Sequence, residues 1–187
     1  MNKRTLAEIR SLIIVRDDTM KLEEDQELII RLASFEDATI VLELWQESAR
    51  WLQSKNINQW KPENFNLEKV FKFMNNGSNV YLAELNREIV GTYLITWNDP
   101  FIWEELDNGS SGYIHKFVVN RKFKGNSIGL RLLRSAEEQI RNKGKEYIRL
   151  DCMAENQRLN QYYCDAGFNY IRRVNGEGWS ANLYQKK

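Results

Sequence analysis

The chain is poor in the residues that many enzyme chemistries rely on. One histidine in 187 residues argues against histidine-rich metal sites, so no metal is expected, and two cysteines, Cys152 and Cys164, are too few for a disulfide framework. Neither cysteine has a histidine within local sequence reach, which disfavours a covalent cysteine mechanism. Net charge is nearly absent, with 27 basic and 26 acidic side chains, so no global field favours nucleic acid or a membrane as partner. Long hydrophobic runs are missing too. The one short apolar run near the start, Leu12-Ile13-Ile14-Val15, falls below the ~7–15 residues of a signal-peptide core and far below a membrane span. A nucleotide site of the G-x-x-x-x-G-K-[ST] type is likewise absent. These absences lead to the expectation of a cytoplasmic protein.

A length of 187 residues suits a single domain with a substantial core. Residues 1–26 are crowded with charge and are expected to form an extension outside the core, leaving 27–187 as one domain. Glu27 to Ala33 is rich in Leu and Ile and predicts a first strand, and Ser34-Phe35-Glu36-Asp37 has the spacing of a capping box. Ile40, Val41, Leu44, Trp45 and Leu52 then share one face of a long helix. A loop over 53–64 and a shorter helix, Leu67 to Asn75, follow. Asn79 to Leu85 and Glu88 to Trp97 predict an antiparallel pair around Asn86-Arg87, with Gly91 marking a bulge or a close backbone approach. The stretch 98–111 reads as irregular, and 169–174 and 179–185 as the last two strands.

The most informative stretch runs from Tyr113 to Phe168. Tyr113 to Val119 has the aromatic and β-branched content of a buried strand. It gives way to Arg121, Lys122 and Lys124, then to Gly125, Asn126, Ser127, Ile128 and Gly129, which lead into an amphipathic helix built on Leu132, Leu133, Ala136 and Ile140. A basic, glycine-containing turn at a helix N-terminus is an anion site: unpaired amides converge there, and glycine admits a phosphate without a Cβ in the way. Gly144 closes the helix, a strand over 147–153 alternates Ile148, Leu150 and Cys152 against Tyr147, Arg149 and Asp151, and Asn156 caps a second helix.

This order of elements resembles the GNAT superfamily of acyl-CoA-dependent N-acyltransferases. The [Q/R]-x-x-G-x-G/A loop is matched by Lys124-Gly125-Asn126-Ser127-Ile128-Gly129, and the later signature by Asn156 through Tyr163-Cys164-Asp165-Ala166-Gly167-Phe168. Lys124 stands where the family has Gln or Arg, and Ser127 where it has the middle Gly. Read with the elements above, the resemblance implies an α/β (mixed α+β) fold, a mostly antiparallel sheet of about seven strands with helices on both faces. It also implies acetyl-CoA as co-substrate, held by Phe117, Val118 and Val119 of the strand, by Lys124, Gly125, Asn126, Ser127, Ile128 and Gly129 of the loop, and by Asn156.

The implied activity is transfer of the acetyl group directly to an amine in a ternary complex. The competing possibility is a catalytically silent acyl-CoA-binding sensor or interaction domain. In relatives the tyrosine matched by Tyr163 donates a proton to, or hydrogen-bonds, the departing thiolate, and a phenol that is protonated at neutral pH suits that role. The acceptor amine must lose a proton, and His115 or Asp151 is the candidate base or acceptor-site residue; Asp151 is alternatively a structural partner of Arg149. Trp51, Trp60, Trp97 and Trp103, with Asp99, Glu104 and Glu105, are candidates to flank a cationic small-molecule amine, or else to fill the core. The expected assembly is a monomer or a homodimer.

Overall fold

In the computed structural model, residues 27–187 are described; the extension expected at 1–26 lies outside them. Seven strands form one sheet: β1 (Leu28–Leu32), β2 (Asn79–Leu85), β3 (Glu88–Thr96), β4 (Ser111–Val119), β5 (Tyr147–Met153), β6 (Asn169–Gly176) and β7 (Trp179–Lys186). Their spatial order is β1-β2-β3-β4-β5-β7-β6, and every neighbouring pair is antiparallel except β4 and β5. Helices α1 (Ala38–Ser54) and α2 (Leu67–Asn75) cover one face, where Val41, Trp45 and Val70 meet Leu82, Leu94 and Val118. Helices α4 (Ile128–Asn142) and α5 (Gln157–Asp165) cover the other, where Leu132, Ala136 and Tyr163 meet Ile114, Ile148 and Leu150. The predicted mixed sheet with helices on both faces is therefore the fold observed.

Local chemistry explains most of the boundaries. The carboxylate of Asp37 accepts a hydrogen bond from the Ser34 amide at 2.7 Å and pairs with Arg31, which fixes the entry to α1. Asn66 and Asn156 cap α2 and α5 by accepting from the Lys69 and Leu159 amides. The β2–β3 turn places Asn86 and Arg87 both at positive φ, the conformation of a type I′ hairpin. Gly91 is a close approach, since a Cβ there would sit 2.7 Å from the Val118 carbonyl oxygen and 2.8 Å from Leu132 Cδ2.

Two sequence readings are corrected. The stretch expected to be irregular holds a helical turn, α3 (Pro100–Trp103), started by Pro100 behind the Asp99 cap, and β4 begins at Ser111, two residues before the expected start. Strand β4 also carries a bulge. Its register against β3 slips between Thr92 and Leu94, and Lys116 takes φ 48°. An L-residue in that region costs roughly 1–2 kcal/mol. The extra residue reverses the alternation, so Phe117 and Val119 join Ile114 on the α4 face, whereas simple alternation would put Phe117 on the face of Tyr113 and His115.

Candidate functional site

Strands β4 and β5 run side by side only from Ser111 opposite Tyr147 to Ile114 opposite Leu150. Beyond that rung they part. The first residues past it are His115 on β4 and Asp151 on β5, so the two residues singled out as candidate bases sit on either side of the opening. His115 Nδ1 lies 3.9 Å from Asp151, and its Nε2 lies 3.5 Å from Asp99. Asp99 was not grouped with them by sequence, because it is held by the loop before α3: its amide donates to Asp107, whose other carboxylate oxygen accepts from the Tyr113 hydroxyl at 2.7 Å.

Burial sets the electrostatics of this trio. Loss of water pushes Asp151 up to about 6, against the opposing effect of the Lys116 charge. Burial, then the nearby Asp151 charge, push Asp99 up to about 7. The imidazole of His115 is driven the other way, to about 4, by burial and by Lys116, and is neutral at pH 7. Arg149, the alternative partner of Asp151, is engaged elsewhere. It donates to Gln185, to the Leu106 carbonyl and to the Tyr113 hydroxyl, while its guanidinium lies over the Trp103 ring.

Asp151 opens into a cleft of about 640 Å³ whose walls are the 58–60 segment on one side and the β6–β7 hairpin, with Trp179 and Arg173, on the other. Of the four tryptophans that were candidates either to flank an acceptor or to fill the core, Trp60 is the one that lines this cleft. Trp51 stacks under the Arg121 guanidinium at 3.8 Å, Trp97 donates to Asn79, and Trp103 is fully buried against Tyr113. Glu104 and Glu105 pair with Arg172. Trp179 was missed, since nothing in its local sequence separates a cleft aromatic from a hairpin residue.

At the end of β4 the chain enters the basic loop. Lys124 donates its amide to Arg121 and Arg131 donates to Ser127, but the amides of Gly125, Ser127, Ile128, Gly129 and Leu130 have no backbone partner among the described residues. Gly125 takes φ 89° with nothing within 4 Å of a Cβ position, so its backbone conformation accounts for the glycine. Ser127 takes φ 56° as the residue before α4, which means the family's glycine position is occupied here by a residue under backbone strain. Asn126 is half-buried, and the Ile128 side chain is in the core, leaving only its amide at the loop. A diphosphate fits this set, with bare amides at a helix N-terminus and Lys124 exposed beside them. At Gly129 a Cβ would meet the Tyr162 hydroxyl at 2.7 Å, so the absent side chain also makes room for α5.

Helix α5 places its two tyrosines differently. Tyr163 is in the core against Phe168 and Tyr184, and burial holds its phenol well above the usual value. The Tyr162 hydroxyl is buried without a partner among the described residues. Asn160, which no motif marked, ties the site together. Its amide nitrogen donates to the carbonyls of Met153 and Asn156, and its oxygen accepts from Asn182 and from the Tyr184 hydroxyl, both at 2.7 Å. No helix among the described residues is long and apolar enough to cross a membrane.

The sheet thus opens past its one parallel pair, with a basic, amide-lined loop after β4 and the carboxylates of Asp99 and Asp151 beside His115 at the opening. Residues 41–168 match the model of the acetyltransferase (GNAT) family, and the chain belongs to that family. It is similar to the uncharacterized N-acetyltransferase YesJ of Bacillus subtilis, with 27% identity over 146 residues, 74% of this chain and 80% of that protein. A GNAT-family acetyltransferase structure from Listeria monocytogenes shares 29% identity with a TM-score of 0.74, covering 87% of this chain and 96% of that one. The PaiA N-acetyltransferase of Thermoplasma acidophilum, solved with coenzyme A, has the same fold at 20% identity and a TM-score of 0.68, covering 86% and 99%.

Proposed function

We propose that the protein transfers the acetyl group of acetyl-CoA directly to an amine bound in the cleft beside Asp151, with both substrates present together. The observation that carries this reading is the parting of β4 and β5 immediately after Ile114 and Leu150, which sets His115 and Asp151 across the gap and the amide-lined loop at its far end. Acetyl-CoA supplies the activated thioester carbonyl. The loop amides and Lys124 hold its diphosphate, Phe117 and Val119 form the wall on the α4 side, and Val118 and Asn156 act through packing and through the α5 cap.

Asp151 takes the proton that the amine loses as it attacks. It lines the cleft, and a carboxylate raised to about 6 is a better base than one at its ordinary value while still ionised at pH 7. His115, lowered to about 4, is the weaker base; it stands between Asp151 and Asp99 and orients the pair. Tyr163, whose phenol stays protonated, donates toward the departing sulfur. A silent acyl-CoA-binding domain would share the loop and the gap but have no use for the ionisable trio.

Two measurements on one sample separate these readings. Coenzyme A should raise the melting temperature, since ligand at ~100-fold its Kd stabilises by about 2.7 kcal/mol. Acetyl-CoA with a panel of amines should then release free thiol. Thermal stabilisation without thiol release from any amine would leave the silent domain as the correct reading.

A further inference from the structure

A second pocket of about 630 Å³ shares two lining residues, Gln59 and Trp60, with the cleft beside Asp151. Its lining contains Lys61, Lys69, Lys72 and Lys116 and no acidic side chain. None of these lysines pairs with a carboxylate among the described residues, although Lys69 donates to the Asn64 carbonyl at 2.6 Å. Three of them are exposed, as surface lysines usually are. Lys116 is not. It is the bulge residue of β4, held at φ 48°, and its ammonium lies 5.3 Å from the Trp60 ring centroid and 5.4 Å from that of Phe65. Strained backbone therefore aims a largely dehydrated cation, in contact with aromatic faces and without a carboxylate at ion-pair distance among the described residues, into a basic pocket next to the transfer site.

We propose that the acceptor is a small amine that also carries an anionic group, a carboxylate or a phosphate, with the anion held by Lys116 and its neighbouring lysines and the amine turned toward Asp151. This rests on the transfer reading above. The two pockets have opposite requirements: the carboxylate of Asp151 in one attracts the ammonium form, and the lysines of its neighbour attract the negative group. The Lys116 ammonium is destabilised by burial and by Lys69, and favoured only by Asp151, so an incoming anion relieves an unmet interaction. Trp60, shared by both pockets, packs against the chain between the two charges.

The test uses matched acceptors: β-alanine against its methyl ester, and phosphoethanolamine against ethanolamine. In thiol-release assays the anionic member of at least one pair should have kcat/KM higher by roughly tenfold or more, because charge-assisted contacts are lost with the anion. Lys116→Met should remove most of that preference through KM, whatever its effect on turnover common to both members of a pair through the lost charge beside Asp151, and Lys116→Arg should restore part of it. Should Lys116→Met fail to fold, the exposed pair Lys69→Ala with Lys72→Ala should reduce the preference in the same direction. Direct binding of the same four compounds, followed by tryptophan fluorescence without acetyl-CoA, separates the two claims. Preference for the anion that Lys116→Met abolishes supports the proposal even if no thiol is released, in which case the transfer reading fails instead. Equal or better binding and turnover of the neutral members, or a preference that survives Lys116→Met, would overturn it. Preference confined to phosphoethanolamine or to β-alanine identifies which anion the pocket takes.

Discussion

Gly129 and Tyr162 should behave as one packing unit, and a double-mutant cycle measures it. An alanine Cβ at 129 would sit 2.7 Å from the Tyr162 hydroxyl oxygen, but 3.6 Å from both Tyr162 Cζ and Val119 Cγ2, which are ordinary contacts. The clash is thus with one atom. Gly129→Ala should gain roughly 0.5–1 kcal/mol of helix propensity and lose roughly 1–3 kcal/mol to overpacking, for a net destabilisation near 1 kcal/mol. In a protein of this size that lowers the melting temperature by about 2–4 °C. Tyr162→Phe removes the offending oxygen, which has no partner among the described residues, so alone it should be neutral or slightly stabilising. In the Tyr162→Phe background the sign at 129 should reverse, and alanine should stabilise by about 0.5 kcal/mol. Urea denaturation of the four proteins gives the coupling, expected at roughly 1–3 kcal/mol. If alanine at 129 has the same effect in both backgrounds, the glycine is not there to admit α5.

Three further substitutions follow from local geometry. Tyr163→Phe keeps the ring and removes the hydroxyl, so kcat should fall by ~10²–10⁴-fold with the KM for acetyl-CoA within a few-fold, as read by steady-state thiol release; full activity would make Tyr163 a packing residue only. Asp37→Ala deletes the carboxylate that accepts from Ser34 and pairs with Arg31, and should cost about 1 kcal/mol at neutral pH in chemical denaturation. Because folding lowers the Asp37 pKa, through the Arg31 bond first, its contribution is present above the ordinary carboxylate range and is lost as pH falls below it, so wild type and variant should converge in acid. Ser127→Gly relieves a residue held at φ 56° and should raise stability by up to about 1 kcal/mol, visible as a higher melting temperature.

How much of this was legible in the sequence depended on the range of the interactions involved. The strands, the two helices that follow the basic loop, and the caps at Ser34 and Asn156 are local matters of period and hydrogen-bonding side chains, and they were readable. So was the placement of a basic, glycine-containing loop at the start of α4. The bulge at Lys116 was not, because it depends on register against β3, and it moved Phe117 to the opposite face from His115. Asp99 reached His115 only through a loop folded by Asp107 and Tyr113, and the Asn160 network ties α5 and the end of β5 to β7, whose partners lie 22 and 24 residues further on. The tryptophans show the same limit: composition placed four of them in one region, while tertiary packing sent Trp103 to the core and Trp51 to Arg121, and left Trp60 at the cleft.

The central claim is that Asp151 removes the amine's proton at the mouth of the opened sheet, and the pH profile of kcat/KM for Asp151→Asn against wild type tests it most directly. The base must be ionised, so wild-type kcat/KM should fall as pH drops through about 6, with the limb shared among the coupled Asp151, Asp99 and His115. Asp151→Asn should lower kcat/KM by ~10²-fold or more and displace that limb from about 6, while coenzyme A binding by calorimetry stays within a few-fold of wild type. A variant that keeps both wild-type turnover and the limb near pH 6 would contradict the account and move the proton to His115, to Asp99 or to water.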